Sequence, residues 1–198
     1  MTRHVLPFLA AILLAGCASA PMHYYTLLPA PAEPSAAATA LPFEVVTVNV
    51  PAQVDRPQLV VRQDGQSVAL LEGERWIAPL ADEVRGALAA DLARTLPGHD
   101  VGGMVAADQP LLQVSLDVRR FDSQPGSYAL IDGAWRVRWR RDGKLATQAC
   151  TSSIRETVGP GYDALVQGHQ RALGKLAEQI TTVARALESG QTASCPAG

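Results

Sequence analysis

The sequence lacks a hydrophobic run long enough to cross a bilayer. The apolar stretch Val5 to Leu14 has ten residues, about half of what a spanning helix needs. The histidines, His4, His23, His99 and His169, stand at no metal-ligand spacing from a cysteine or carboxylate. A Gly-x-Ser-x-Gly elbow is missing, and Gly102-Gly103 is too little for a phosphate-cradling loop. Ser152 and Ser153 fall in a strand-like run with no His or acid placed by the sequence to activate either. These absences lead us to expect no enzyme, no metal and no cofactor. Net positive charge is missing too, with 17 basic against 19 acidic residues, which argues against a nucleic-acid binder.

Cysteine is scarce, and each of the three has a distinct setting. Thr2, Arg3 and His4 precede the apolar run, and Leu14-Ala15-Gly16 leads directly into Cys17. A short positive region and a short apolar core are the layout of a secretory signal. Its ending resembles the bacterial lipoprotein signal, in which the cysteine is acylated and becomes the first mature residue. Residues 1–16 are thus expected to be removed, with Cys17 as the lipidation site. Two or more acyl chains, at about 0.8 kcal/mol per buried methylene, make a stable anchor. In such lipoproteins an aspartate after the cysteine favours the inner membrane. Here that position is Ala18, so the resemblance implies the outer membrane, with the protein facing the periplasm.

Cys150 and Cys195 remain, in a compartment where disulfides persist. A bridge between them would be worth roughly 4 kcal/mol on the chain-entropy model. It would tie down the tail 191–198, which has no other visible attachment.

From residue 17 onward the chain is long enough for one domain with its own core. Residues 17–23 read as a lipidated N-terminus and short tether, 24–190 as a single α/β domain, and 29–42 as a Pro/Ala-rich loop within it. The run "HYYTLLP" is strand-like, but pattern alone assigns it neither to the domain nor to the tether. "FEVVTVNVP" has strand composition, with Val46, Val48 and Val50 as the expected inward face. Asp64-Gly65 marks a hairpin. Leu80, Val84, Leu88, Leu92 and Leu96 recur every four residues and predict a helix, opened by Pro79 with Asp82 and Glu83 complementing its N-terminus. Leu112, Val114, Leu116 and Val118 alternate as a half-buried strand, and two long strands meet at Asp142-Gly143. Leu173, Leu176, Ile180, Val183 and Leu187 mark a last helix of about seven turns, stopped near Gly190. His169 falls near its apolar face, as a core histidine would. The order of elements implies an α+β fold, an antiparallel or mixed β-sheet with two main helices packed on one face.

"WRVRWRRDGK" interleaves Trp135, Val137 and Trp139 with Arg136, Arg138 and Arg140. Alternation places the aromatics in the core and the arginines on a solvated face. That face is a candidate for an acidic partner or anionic headgroups. A second candidate partner-binding element is Asp55, Arg56 and Pro57, where proline restrains the chain that presents two charges.

Together with the lipobox, "YYTL", "VPAQVDRPQLVVR", "RWIAPLADEV", "VRRFDS", the Gly126-to-Trp135 stretch and "YDALVQGHQRAL" resemble the ABC-type transport auxiliary lipoproteins over nearly the whole mature chain. The resemblance implies a periplasmic domain held at the outer membrane. It would work beside an MCE-domain protein and an inner-membrane transporter component in moving lipids between membranes or keeping the envelope intact. It also implies that "YYTL" joins the sheet, and it admits a homo-oligomer, as a ring or as a cap on a partner. The competing reading is an outer-membrane assembly lipoprotein that chaperones lipopolysaccharide or a β-barrel. A lipid-anchored hydrolase would need a nucleophile and base that the sequence does not display.

Overall fold

The computed structural model describes residues 21–30, 42–96, 98–104 and 109–196. The expected signal 1–16, Cys17, the first tether residues, most of the Pro/Ala-rich stretch and the last two residues of the tail lie outside the described residues. The elements are β1 (His23–Tyr25), β2 (Phe43–Asn49), β3 (Gln58–Arg62), β4 (Val68–Trp76), α1 (Leu80–Thr95), β5 (Leu111–Gln124), β6 (Tyr128–Arg141), β7 (Lys144–Thr157) and α2 (Tyr162–Glu188). The strands form two sheets, β1-β4-β3 and β2-β5-β6-β7. Both are mixed: β1 runs parallel to β4 and β2 parallel to β5, while the other pairs are antiparallel. This is the α+β class implied by the order of elements, with the strands divided between two sheets.

Local chemistry explains the hairpins. At the β6–β7 tip Asp142 and Gly143 take φ of 50° and 71°, the left-handed pair that a two-residue turn requires. Between β3 and β4 the Asp64 carboxylate accepts the backbone N–H groups of Gln66 and Ser67 at 2.9 and 2.7 Å, which holds the turn closed.

The inward face of β2 differs from the one expected. Phe43 and Val45 are buried, whereas Val46 is exposed. The register with β5 shifts between Val45 and Thr47, so an irregularity at Val46 turns its side chain outward. Past it, Val48 and Val50 pack against the core, as their alternation implied. A bulge that reverses alternation cannot be read from a run of valines.

On α1 the stripe Leu80, Val84, Leu88, Leu92 and Leu96 is buried. It packs beside α2, whose Leu173, Leu176, Ile180 and Val183 complete the same core with Trp135, Val137 and Trp139 of β6. The helix α2 approaches the sheet so closely that a Cβ at Gly168 would meet Val158 Cγ1 and stand 3.0 Å from Ala129 Cβ. Gly190, at φ 71°, ends the helix region.

Asp82 and Glu83 do not act alike. Asp82 stays at the surface near Arg85, but Glu83 is 2 % exposed and turns inward. Its Oε2 accepts the Leu27 N–H at 2.7 Å and the Thr26 hydroxyl at 2.8 Å. One strand-length earlier, the Tyr25 hydroxyl donates to Glu74 Oε2 at 2.6 Å, and His23 Nδ1 lies 2.9 Å from Glu74 Oε1. Burial and the adjacent Glu74 carboxylate push the Tyr25 phenol pKa up. The Ile77 N–H bonds to the Tyr25 carbonyl at 2.9 Å. The "HYYTL" segment is therefore stitched to β4 and α1, and Leu27 is fully buried.

His169 sits in the core, fully buried. Its ring stacks on Phe121 with centroids 3.9 Å apart, and Nε2 lies 2.8 Å from Ser123 Oγ. Burial pulls its pKa down to about 3.

Glu83→Ala leaves the buried Leu27 N–H and Thr26 hydroxyl without their acceptor and is expected to cost about 2–3 kcal/mol. Glu83→Gln keeps an acceptor oxygen and should lose clearly less. Denaturant midpoints of the two variants check the ordering. A second prediction concerns pH. The unfolded chain protonates His169 near the ordinary value of 6.5 and the folded chain only near 3, so the unfolded state binds the extra proton in between. Its contribution to stability is complete above pH 6.5 and is lost as pH falls, by about 1.4 kcal/mol per unit. Urea midpoints between pH 7 and 5 should fall in the native chain, and the slope should flatten in His169→Phe; parallel profiles would refute the assignment.

Candidate partner-binding surfaces

The helices cover one face of the four-stranded sheet, and alternation along β6 fixes what the other face shows. Trp135, Val137 and Trp139 are buried, while Arg136 and Arg138 are exposed and Arg140 half-buried. In register, Arg136 stands between Ser115 and Ala149, Arg138 between Gln113 and Thr147, and Arg140 between Leu111 and Leu145. These neighbours are short or uncharged, so the three guanidinium groups form a column. None of the three makes an ion pair among the described residues. Glu44, Asp117 and Asp132 lie on the strands around them, and Glu44 accepts a hydrogen bond from Gln113 Nε2 at 3.2 Å.

Cys150 and Cys195 are bonded, with Cα atoms 5.4 Å apart. The bond fixes the tail against the edge strand β7, and Cys195 and Pro196 thereby line a depression of about 690 Å³ shared with Arg119, Arg136, Ser115 and Thr151. Ser152, raised above as a nucleophile without an activator, bridges Trp135 Nε1 and Gln179 Oε1 at 2.8 and 2.6 Å. Its hydroxyl is committed to packing.

The second surface is the turn between β2 and β3. Val54 and Asp55 donate their N–H groups to the Pro51 carbonyl at 3.0 and 3.1 Å, and Trp76 donates to that of Pro57 at 2.8 Å. Backbone bonds shape the turn, and Val54 packs against the core beneath it. Asp55, Arg56 and Pro57 are exposed, and neither charge is ion-paired among the described residues. With Trp76, Ile77 and Pro79 they border a recess of about 310 Å³, in which Ile77 is 61 % exposed. The turn and the arginine column belong to different parts of the fold: one adjoins the three-stranded sheet, the other crosses the four-stranded one. Among the described residues no group of three His, Cys, Asp or Glu side chains could hold a metal ion, and no helix is long and apolar enough to cross a membrane.

The family model of the ABC-type transport auxiliary lipoprotein component matches residues 25–181. The chain belongs to that family. No protein of curated function matches it. A crystal structure titled only as an uncharacterized protein superposes with a TM-score of 0.59 at 20 % identity, covering 81 % of this chain and 97 % of the other. A Xanthomonas campestris protein of family-model DUF330 superposes with a TM-score of 0.54 at 15 % identity, covering 86 % and 100 %. At these identities the two structures support the fold.

The match starts at Tyr25, inside the stitched segment, and so includes the contacts that sequence reasoning missed. Glu74 and Glu83 gave no signal beyond two acids in a strand and a first helical turn. Because Asp55 and Arg56 are exposed and unpaired, replacing both with alanine is expected to shift stability by no more than about 0.5 kcal/mol per site. A thermal or denaturant midpoint reads it, and a loss of several times that size would show that the pair builds the turn.

Proposed function

We propose that this lipoprotein is a non-enzymatic, outer-membrane-anchored periplasmic subunit of an intermembrane lipid-transport system. In this reading it works beside an MCE-domain protein and an inner-membrane transporter component. The observation that carries the reading is the position of β1. The first strand begins at His23, six residues after Cys17, and is pinned through Glu74 and Glu83. An anchor at Cys17 would hold the domain within about 20 Å of the membrane surface. A domain held that close is suited to docking a partner that arrives at the membrane, and poorly suited to searching the periplasm on a stalk. Ala18 after the cysteine favours the outer membrane. The exposed turn at Asp55, Arg56 and Pro57 and the column of Arg136, Arg138 and Arg140 are the surfaces offered to the partner.

The test is affinity purification of the tagged, lipidated protein from detergent-solubilised envelopes, followed by mass spectrometry. Recovery of an MCE-domain protein with its inner-membrane component is expected, and Asp55→Ala with Arg56→Ala should reduce that recovery while the domain stays folded. Recovery of barrel-assembly or lipopolysaccharide-assembly factors alone would overturn the reading.

A further inference from the structure

The β3–β4 hairpin has two faces. Leu59 and Val61 point into the core. On the other face Val60 is half-buried, and Val68 and Leu70 are 53 % and 44 % exposed. Opposite them stands the end of β5, from Arg119 to Asp122, and the 51–56 turn closes the third side. The groove between measures about 650 Å³, within the usual range of small-molecule sites.

Its charge is one-sided. Arg56, Arg62, Arg119 and Arg120 line it with a single carboxylate, Asp122, on a chain whose formal net charge is −2. Asp122 is already engaged: Arg62 Nε donates at 3.1 Å, Arg120 Nη2 at 2.9 Å and the Tyr128 hydroxyl at 3.1 Å. Burial opposes ionisation of Asp122, but these donors outweigh it and hold its pKa below the ordinary value. Arg56 and Arg119 have no ion-pair partner among the described residues. An apolar floor thus lies beside two uncompensated guanidinium groups, which suit bidentate contact to a phosphate.

We propose that this groove binds an anionic phospholipid, with acyl chain along Val60, Val68 and Leu70 and phosphate at Arg56 and Arg119. A free phosphate would leave the apolar floor in water, and a neutral lipid would leave the cations unanswered. The proposal rests on the transport reading for the choice of a phospholipid over other anionic amphiphiles, and it gives this subunit direct contact with the cargo.

The test uses the lipidated protein in neutral detergent micelles with a phosphatidylglycerol that carries a photoreactive group in its acyl chain. Peptide mass spectrometry should place the label on residues 58–70 or 119–122. Unlabelled phosphatidylglycerol should compete about tenfold better than phosphatidylcholine of the same chains, and Arg119→Glu should lower labelling by about tenfold. Leu70→Asp should lower it about fivefold or more. Arg119→Lys should retain most of it, and Arg85→Glu, on the exposed face of α1 and outside the groove lining, all of it. Equal competition by phosphatidylcholine, competition by inorganic phosphate as strong as by phosphatidylglycerol, or label elsewhere on the chain would overturn the proposal. The affinity purification above fails independently. A captured MCE-domain protein with an unlabelled groove overturns this inference alone, and a labelled groove without that partner overturns the transport role alone.

Discussion

A buried carboxylate must be answered by hydrogen-bond donors, and in this fold the donors come from the chain's N-terminal segment. Glu83 is nearly inaccessible, and it receives the Leu27 N–H and the Thr26 hydroxyl. Removing a charged group from water is tolerable only when such partners are fixed in place. The requirement runs in both directions. The acid holds the segment, and the segment makes the inward-turned acid possible. From that clamp follow the burial of Leu27 and the pairing of β1 with β4. A short three-residue strand would otherwise be marginal, since each residue fixed costs about 1–2 kcal/mol of backbone entropy.

The rest of the architecture divides labour between faces. Both helices lie on one side of the large sheet, so its alternation buries two tryptophans and presents arginines. The sheet's open side and the hairpin's outer side are then the surfaces left to meet other molecules. Their characters differ: the arginine column is flanked by Ser115, Gln113, Thr147 and Ala149, whereas the hairpin groove joins guanidinium groups to Val68 and Leu70. The column suits a polar, acidic protein surface. The groove suits an amphiphile. The two surfaces meet at Arg119, which borders both.

Much of the fold was legible because its signals are local. The four-residue leucine stripe from Leu80 to Leu96, the Asp-Gly turns and the strict alternation of β6 each follow from one element's own periodicity. Legibility failed where a side chain's role is set by a distant partner. Val46 turns outward through a shift in register against β5, which no property of β2 announces. Glu83 reads as a helix-dipole acid until Leu27 is placed beside it. The site followed the same rule. The exposure of Arg136 and Arg138 was visible in the alternation, and that of Asp55 and Arg56 was consistent with a proline-bounded turn. The groove was invisible, because Arg119 and Leu70 are far apart in the chain and meet only when the hairpin folds over the end of β5.

The three-stranded sheet joins these threads. Its central strand β4 pairs on one side with β1 and on the other with β3. It thus links the N-terminal strand to the strand that completes the groove. Both glutamate clamps act next to this sheet, Glu74 from β4 itself and Glu83 from the helix that follows it. Under the proposed anchoring at Cys17, attachment and the proposed lipid contact would share one small unit that begins six residues along the chain from that cysteine. A groove placed on the arginine-bearing sheet would take its orientation to the membrane through the whole core. Placed on the hairpin, it would take that orientation through β4, so with the proposed anchor at Cys17 the clamp that secures the N-terminal segment would also set how the groove faces the bilayer.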